Sequence, residues 1–186
     1  MAMDDILLDA EEKMEHAVDY LHKELRGIRT GRASAGLVDH IKVDYFGSPT
    51  DLRQLATIAT PEATLIVIKP FDPGSIKDIE KAIFASDLGI TPSIDGKIIR
   101  LSVPPLSGDR RTQIAAQIKK MAEQTRVAIR NARREANKEV DKEQKDSELT
   151  EDDAKHGKSE VQDLTDKYEK SVTEMIDTKT TEIEEM

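Results

Sequence analysis

Four arginines, Arg126, Arg130, Arg133 and Arg134, stand four, three and one residues apart in the stretch RVAIRNARREANKE. On a helix at about 100° per residue, with Arg126 as zero, the other three fall at about 40°, −20° and 80°, and Lys119 at about 20°. One face would then carry them all. A guanidinium group forks onto phosphate through two parallel donors, whereas an ammonium offers a point charge. Successive turns about 5.4 Å apart suit a phosphate backbone, above all structured RNA, which is recognised by shape and by sugar-phosphate contacts. Glu123 and Glu139 could pair with these cations three or four residues away, at a gain of only about 0.2–0.5 kcal/mol each. The apolar stripe of Ile114, Ile118, Ile129, Ala132 and Ala136 is centred near about 270° on the same scale, so the cations are expected to face solvent. With three Tyr and three Phe in the whole chain, rings are too scarce for base stacking on single strands.

Other chemistries find no foothold. The absence of cysteine removes disulfides, thiolate metal sites and cysteine nucleophiles, and points to a reducing cytoplasm. His16, His22, His40 and His156 are scattered, with no pair at metal-ligand spacing inside one helix turn. The stretch HGKS imitates the end of a phosphate-binding loop, but Asp152 stands where that loop needs its first glycine and no strand precedes it. No serine, histidine and acid arrangement matches a nucleophile motif. The reading is a protein that is not an enzyme and needs neither metal nor cofactor.

The net charge of −9 is unevenly shared: residues 105–145 hold 11 basic and 6 acidic side chains, a balance of +5, whereas residues 146–186 hold 5 and 14, a balance of −9. Such a chain is unsuited to nonspecific nucleic-acid binding over its whole surface, but one oriented basic face remains open to it. The N-terminal stretch MAMDDILLDAEEK is acidic and amphipathic, without the basic start and apolar core of a signal peptide. No apolar run approaches the roughly 20 residues that cross a bilayer. A soluble, cytoplasmic protein is expected.

These residues need elements to hold them. Only 37% of the chain is hydrophobic and 35% is charged, which suits long helices that each bury one narrow stripe. Leu7, Met14, Val18, Leu21, Leu25 and Ile28 follow a heptad-like spacing that should stop within GIRTGRASAG. From about residue 37 the pattern changes: DHIKVDYFG, TLIVIKP and KIIRLSVP read as strands, and DPGSIKDIEKAIFASDLG as a helix with Ile76, Ile79, Ala82, Ile83 and Phe84 inward. After Pro104 and Pro105, Ser107 or Asp109 can cap a second long helix, whose stripe runs from Ile114 to Val140. Thr150, with Asp153 three residues on, opens a third carrying Val161, Leu164, Tyr168, Val172 or Ser171, and Met175.

The expected fold class is α+β: a long antiparallel three-helix bundle (residues 1–30 and 105–186) with a small β/α/β domain (residues 31–104) inserted after its first helix. Thr30, Gly31, Ser34 and Gly36 on one crossing, with Pro104 and Pro105 on the other, would form a two-stranded hinge. A bundle that closes on itself favours a monomer.

The stretches IRTGRAS (28–34), LGITPSIDGKIIRLSVPPLS (88–107), DRR (109–111) and RNARREAN (130–137) resemble, in order and spacing and over essentially the whole chain, the bacterial ribosome recycling factors. That resemblance implies the same bundle-and-insert fold. It also implies the ribosome as partner, through large-subunit rRNA, and elongation factor G as the partner that hydrolyses GTP. Together they would split post-termination ribosomes and free mRNA and deacylated tRNA, with neither membrane nor DNA involved. Arg133 matches the family's RNxRR motif, with Arg130 and Arg134 beside it. Arg29 and Arg32 match RTGR, and Arg110 and Arg111 the pair that opens the second helix. SGDRR departs from the family, where a threonine and two glutamates would be expected before the arginines. The rival reading, a coiled-coil scaffold or holdase for protein partners, explains the heptads but leaves the arginine face without a purpose.

Overall fold

A computed structural model of the chain describes residues 3–185. In chain order its elements are helix α1 (Met3–Arg26), strands β1 (Lys42–Tyr45) and β2 (Ser48–Asp51), the single turn α2 (Leu52–Leu55), strands β3 (Ala56–Glu62) and β4 (Leu65–Pro70), helix α3 (Ile76–Ala85), strands β5 (Pro92–Asp95) and β6 (Ile98–Ser102), and helices α4 (Gly108–Lys145) and α5 (Glu151–Glu184). Its contacts divide it into two compact units. One runs through Leu25 and resumes at Ala115–Thr181; the other is Arg26–Ile114 with the residues from Glu182 onward. Residues 26–30 and 105–114, read from the sequence as bundle, thus group with the inserted part. Arg26 forms an ion pair with Asp39, and the Arg29 side chain donates to the Pro104 carbonyl at 3.0 Å.

The first unit is the three-helix bundle. Lys13 on α1 meets Glu135 on α4 at 2.9 Å, Lys158 on α5 meets Asp141 on α4 at 2.5 Å, and Lys167 on α5 meets Glu11 on α1 at 3.1 Å. Numbers rise along α1 and α5 as they fall along α4, so α4 is antiparallel to both. Ile6, Ala10, Ala136, Val140, Ala154 and Val161 form a closed apolar cluster between the three helices, and Met14, Leu21, Ile118, Ile129 and Val172 are fully buried along the same stripes. Small residues in this core let the helix axes approach closely. Buried Thr125 and Thr165 satisfy their hydroxyls on the carbonyls four residues back, Met121 and Val161, at 3.1 and 2.8 Å.

The helix ends are specified locally. Ser107, not Asp109, caps α4: its Oγ accepts from the Arg110 amide at 3.3 Å. At the other end of α4, Ser147 adopts φ +62° and the Glu148 amide returns to the Glu143 carbonyl at 2.9 Å, the six-to-one bond of a left-handed helix stop. Thr150 then caps α5, its Oγ1 accepting from the Asp153 amide at 3.1 Å and donating to the Asp153 carboxylate at 2.6 Å. The HGKS stretch lies inside α5, where Gly157 leaves room for Met3 of α1; a methyl group added there would overlap the Met3 thioether.

The second unit holds two antiparallel sheets, the hairpin β1-β2 and a four-stranded sheet in the order β3-β4-β6-β5. Ile66 and Ile68 of β4, Ile99 and Leu101 of β6, and Ile79 and Ile83 of α3 share one core with Leu37, Val38, Val43 and Leu52. Strands β1, β4 and β6 lie where the apolar patterns put them, while β2, β3 and β5 go beyond the three expected. Pro49, Pro61 and Pro92 sit in β2, in β3 and at the start of β5. β3 and β5 are the edges of their sheet, where a residue without an N–H loses no ladder bond. Phe84, expected inward, is 59% exposed, because α3 buries Ile79 and Ile83, and the position after Ile83 is turned about 100° away from them.

Candidate nucleic-acid interface

The arginines of α4 do not stand straight out into solvent. Arg126 and Arg133 reach toward α5, donating to Thr173 Oγ1 and Gln162 Oε1, both at 3.2 Å. Arg126, Arg130 and Arg133 are half-buried and Arg134 is exposed. The expectation of a freely solvated face is therefore corrected to a row along the α4–α5 seam. Arg130 pairs with Glu123 at 2.6 Å, two turns back, a reach that the three- and four-residue spacing rule does not include. Glu139 goes instead to Lys142, at 3.5 Å.

How each arginine is neutralised separates two populations. Arg26 pairs with Asp39, Arg53 with Asp51 at 3.9 Å, and Arg100 with Asp95 at 3.3 Å. Of the eight candidate arginines, only Arg130 has a carboxylate partner among the described residues. Arg126 and Arg133 donate to neutral groups on α5, Arg110 to Gln113 Oε1 at 3.1 Å and Arg29 to the Pro104 carbonyl. Arg32 and Arg134 are exposed and make no side-chain bond among the described residues. A neutral partner orients a guanidinium group and leaves its charge in place, so these cations stay available to an anionic partner.

Two of the candidates are partly enclosed. The Nε atoms of Arg29 and Arg111 are buried without a hydrogen-bond partner. Arg29 belongs to the packing of its own unit as much as to any outer surface. Around it, Thr30 is buried, Gly31 takes φ +83°, the Ser34 hydroxyl accepts from the Gly36 amide at 3.2 Å, and Gly36 packs against Arg26, where a Cβ would come within 3.2 Å of that side chain. Pro104 and Pro105 are exposed. Sequence spacing had not revealed Gln162 and Thr173 as the residues that aim Arg133 and Arg126, since nothing local to α4 tells which positions of α5 will face it.

The class of protein these features define is a long helical bundle with an α/β insert and a row of arginines, most of them without a carboxylate partner, on one helix seam. The family model for ribosome recycling factor matches residues 21–183, and the chain belongs to that family. It is 50% identical over 182 residues to the ribosome-recycling factor of Halalkalibacterium halodurans, covering 98% of each chain. Against that of Oleidesulfovibrio alaskensis it is 53% identical over 166 residues, covering 89% of this chain and 90% of the other. Among solved structures, a solution structure of the ribosome recycling factor matches with a TM-score of 0.83 at 38% identity, covering 99% of this chain and 98% of that one. A second match, with a TM-score of 0.74 at 36% identity, covers 98% of this chain and 99% of that one. It is described as models for the T. thermophilus ribosome recycling factor and the E. coli elongation factor G bound to the E. coli post-termination complex.

No helix among the described residues is long and apolar enough to cross a membrane.

Proposed function

We propose that this protein is a cytoplasmic ribosome recycling factor that works as a monomer with elongation factor G. It binds large-subunit rRNA along the arginine row of α4, and with GTP hydrolysis by its partner it splits post-termination ribosomes into subunits, releasing mRNA and deacylated tRNA. The observation that carries the rRNA contact is the contrast in neutralisation. Arg26, Arg53 and Arg100 each have an aspartate, while Arg126, Arg133 and Arg134 keep their charge along one helix. Arg29, Arg32, Arg110 and Arg111 extend the basic set within the second unit.

The mechanism is mechanical, with no reaction catalysed by the chain itself. Arg126 and Arg133, held by Thr173 and Gln162, present guanidinium groups whose orientation is already set, which lowers the ordering cost of binding phosphate. The residues 31–104 act as a movable domain on a hinge at Thr30, Gly31, Ser34, Gly36, Pro104 and Pro105, which receives the push of elongation factor G. The test is light scattering of post-termination ribosomes with a matched elongation factor G and GTP, comparing the wild type with Arg133→Glu. Splitting by the wild type and its loss in the variant, at unchanged helicity, is the expected result. Splitting that survives the charge reversal removes the arginine row from the mechanism, and no splitting by the wild type removes the recycling reading.

A further inference from the structure

The bundle has a second surface feature, on the α1–α4 seam and apart from the arginine row. A groove of about 280 Å³ is lined by Ala17, Tyr20, Leu21 and Glu24 of α1 and by Met121, Gln124 and Ala128 of α4. Ala17 and Ala128, both small, leave space between the two helices there. Leu21 and Met121 give it an apolar floor. Its rim is polar and open to solvent: the Tyr20 hydroxyl, the Glu24 carboxylate and the Gln124 amide make no side-chain hydrogen bond or ion pair among the described residues. Tyr20 is 65% exposed, a large ring left beside a concavity instead of being folded into the core.

The rim chooses the chemistry of an occupant. Tyr20 and Glu24 are one helix turn apart on the same face of α1, so a ring and a free carboxylate flank the same opening. A cation placed between them gains from the ring quadrupole and from the carboxylate together. An anion would be repelled, and a purely apolar ligand would leave Glu24 to be desolvated without compensation. The volume of about 280 Å³ falls just below the roughly 300–1,000 Å³ typical of small-molecule pockets, which suits a small occupant.

We propose that this groove is a binding site for a small free amphiphilic cation, an alkyl or aryl chain ending in one ammonium head. The chain lies on Leu21 and Met121 between Ala17 and Ala128, and the head sits between the Tyr20 ring and the Glu24 carboxylate, with the Gln124 carbonyl as a further acceptor. The site is independent of the proposed work on the ribosome, since none of the arginines contributes to it.

The test is a titration of the full chain, followed by its backbone amide resonances, with phenylbutylammonium, the neutral phenylbutanol and the anionic phenylbutyrate. Saturable shifts confined to residues 17–24 and 121–128 are expected for the ammonium, with the alcohol weaker by about tenfold and the acid weaker still. Glu24→Gln, an exposed substitution, should bring the ammonium down to the affinity of the alcohol. Ala128→Leu should fill the groove and abolish binding of all three. Equal affinity for ammonium and alcohol in the wild type, shifts elsewhere, or no saturation would overturn the proposal. So would an Ala128→Leu protein of native helicity that binds unchanged. Saturation only by a lysine- or arginine-containing peptide, with no response to the free amine, would show a protein-docking groove instead and overturn it equally.

Discussion

Arg29 and Arg134 are both arginines of the basic set, yet their surroundings assign them different work. The Arg29 side chain donates to the Pro104 carbonyl and has an enclosed Nε. Hydrogen bonds to a charged group contribute about 1.5–3 kcal/mol, so Arg29→Ala should lower the stability of the α/β unit by that order, measured by urea unfolding. Arg134 is exposed and unpaired among the described residues; Arg134→Ala should leave stability within about 0.5 kcal/mol. Its effect should appear in binding, where losing one phosphate contact lowers the slope of log K against log salt by about 1. An unchanged slope would take Arg134 out of the interface. Tyr168 is a different case. Burial raises its phenol above the ordinary value, and its hydroxyl donates to Glu11 at 3.3 Å. The folded chain therefore keeps this proton at a pH where the unfolded chain has lost it. The resulting stability is intact below pH about 10 and falls as the pH rises through the phenol's folded value. Lys167, raised by its hydrogen bond to Glu11, and Lys13, raised by those to Asp9 and then Glu135, act in the same direction. Alkaline unfolding followed by circular dichroism should show this limb, and Tyr168→Phe should make it shallower without removing it.

Among the elements, the long helices were legible because each announces itself over several turns. The heptad spacing of α1, the Ile114-to-Val140 stripe of α4 and the Thr150–Asp153 start of α5 all reflect local physics: period, cap and stop. The strands β2, β3 and β5 were not, since SPTD, ATIATPE and PSID are short and carry a proline each. They are strands because β1, β4 and β6 offer them ladders, a property of the partner that their own residues do not display. The row of arginines could be read from α4 alone, but its place on a seam, and its aim by Gln162 and Thr173, depends on where α5 packs. Ser147 shows a local rule broken. It holds φ +62° at the stop of α4, a conformation that costs an L-residue about 1–2 kcal/mol and glycine almost nothing. Ser147→Gly should raise the melting temperature of the bundle, by a stability gain of about 1 kcal/mol less the added entropy of the unfolded chain. A fall would show that the Ser147 side chain contributes more than its backbone costs. Thr150→Ala, three residues on, should cost about 1 kcal/mol by removing the α5 cap.

At the scale of the whole molecule, the electrostatics predict a steep dependence of ribosome binding on salt, because each phosphate neutralised releases counterions. If Arg126, Arg133 and Arg134 all contact phosphate, together they should contribute a slope of about −2 to −3, measured by sedimentation with ribosomes across salt concentrations. An affinity indifferent to salt would return the bundle to the role of a protein scaffold. The same chain has another property at this scale, set by the order of its parts. The α/β unit is one uninterrupted stretch, Arg26–Ile114, apart from its terminal residues, whereas the bundle needs residues from both sides of it. During synthesis α1 emerges first, and a lone helix of its length is marginal in water. At roughly 5–20 residues per second, it waits on the order of ten seconds before α4 begins to appear, and about half as long again for α5. The insert can fold in that interval, while the first helix of the bundle keeps its apolar stripe uncovered, guarded by Asp4, Asp5, Asp9, Glu11, Glu12 and Glu15. A nascent chain stopped before α5 thus carries the continuous stretch of the α/β unit and one open bundle seam, which α5 closes.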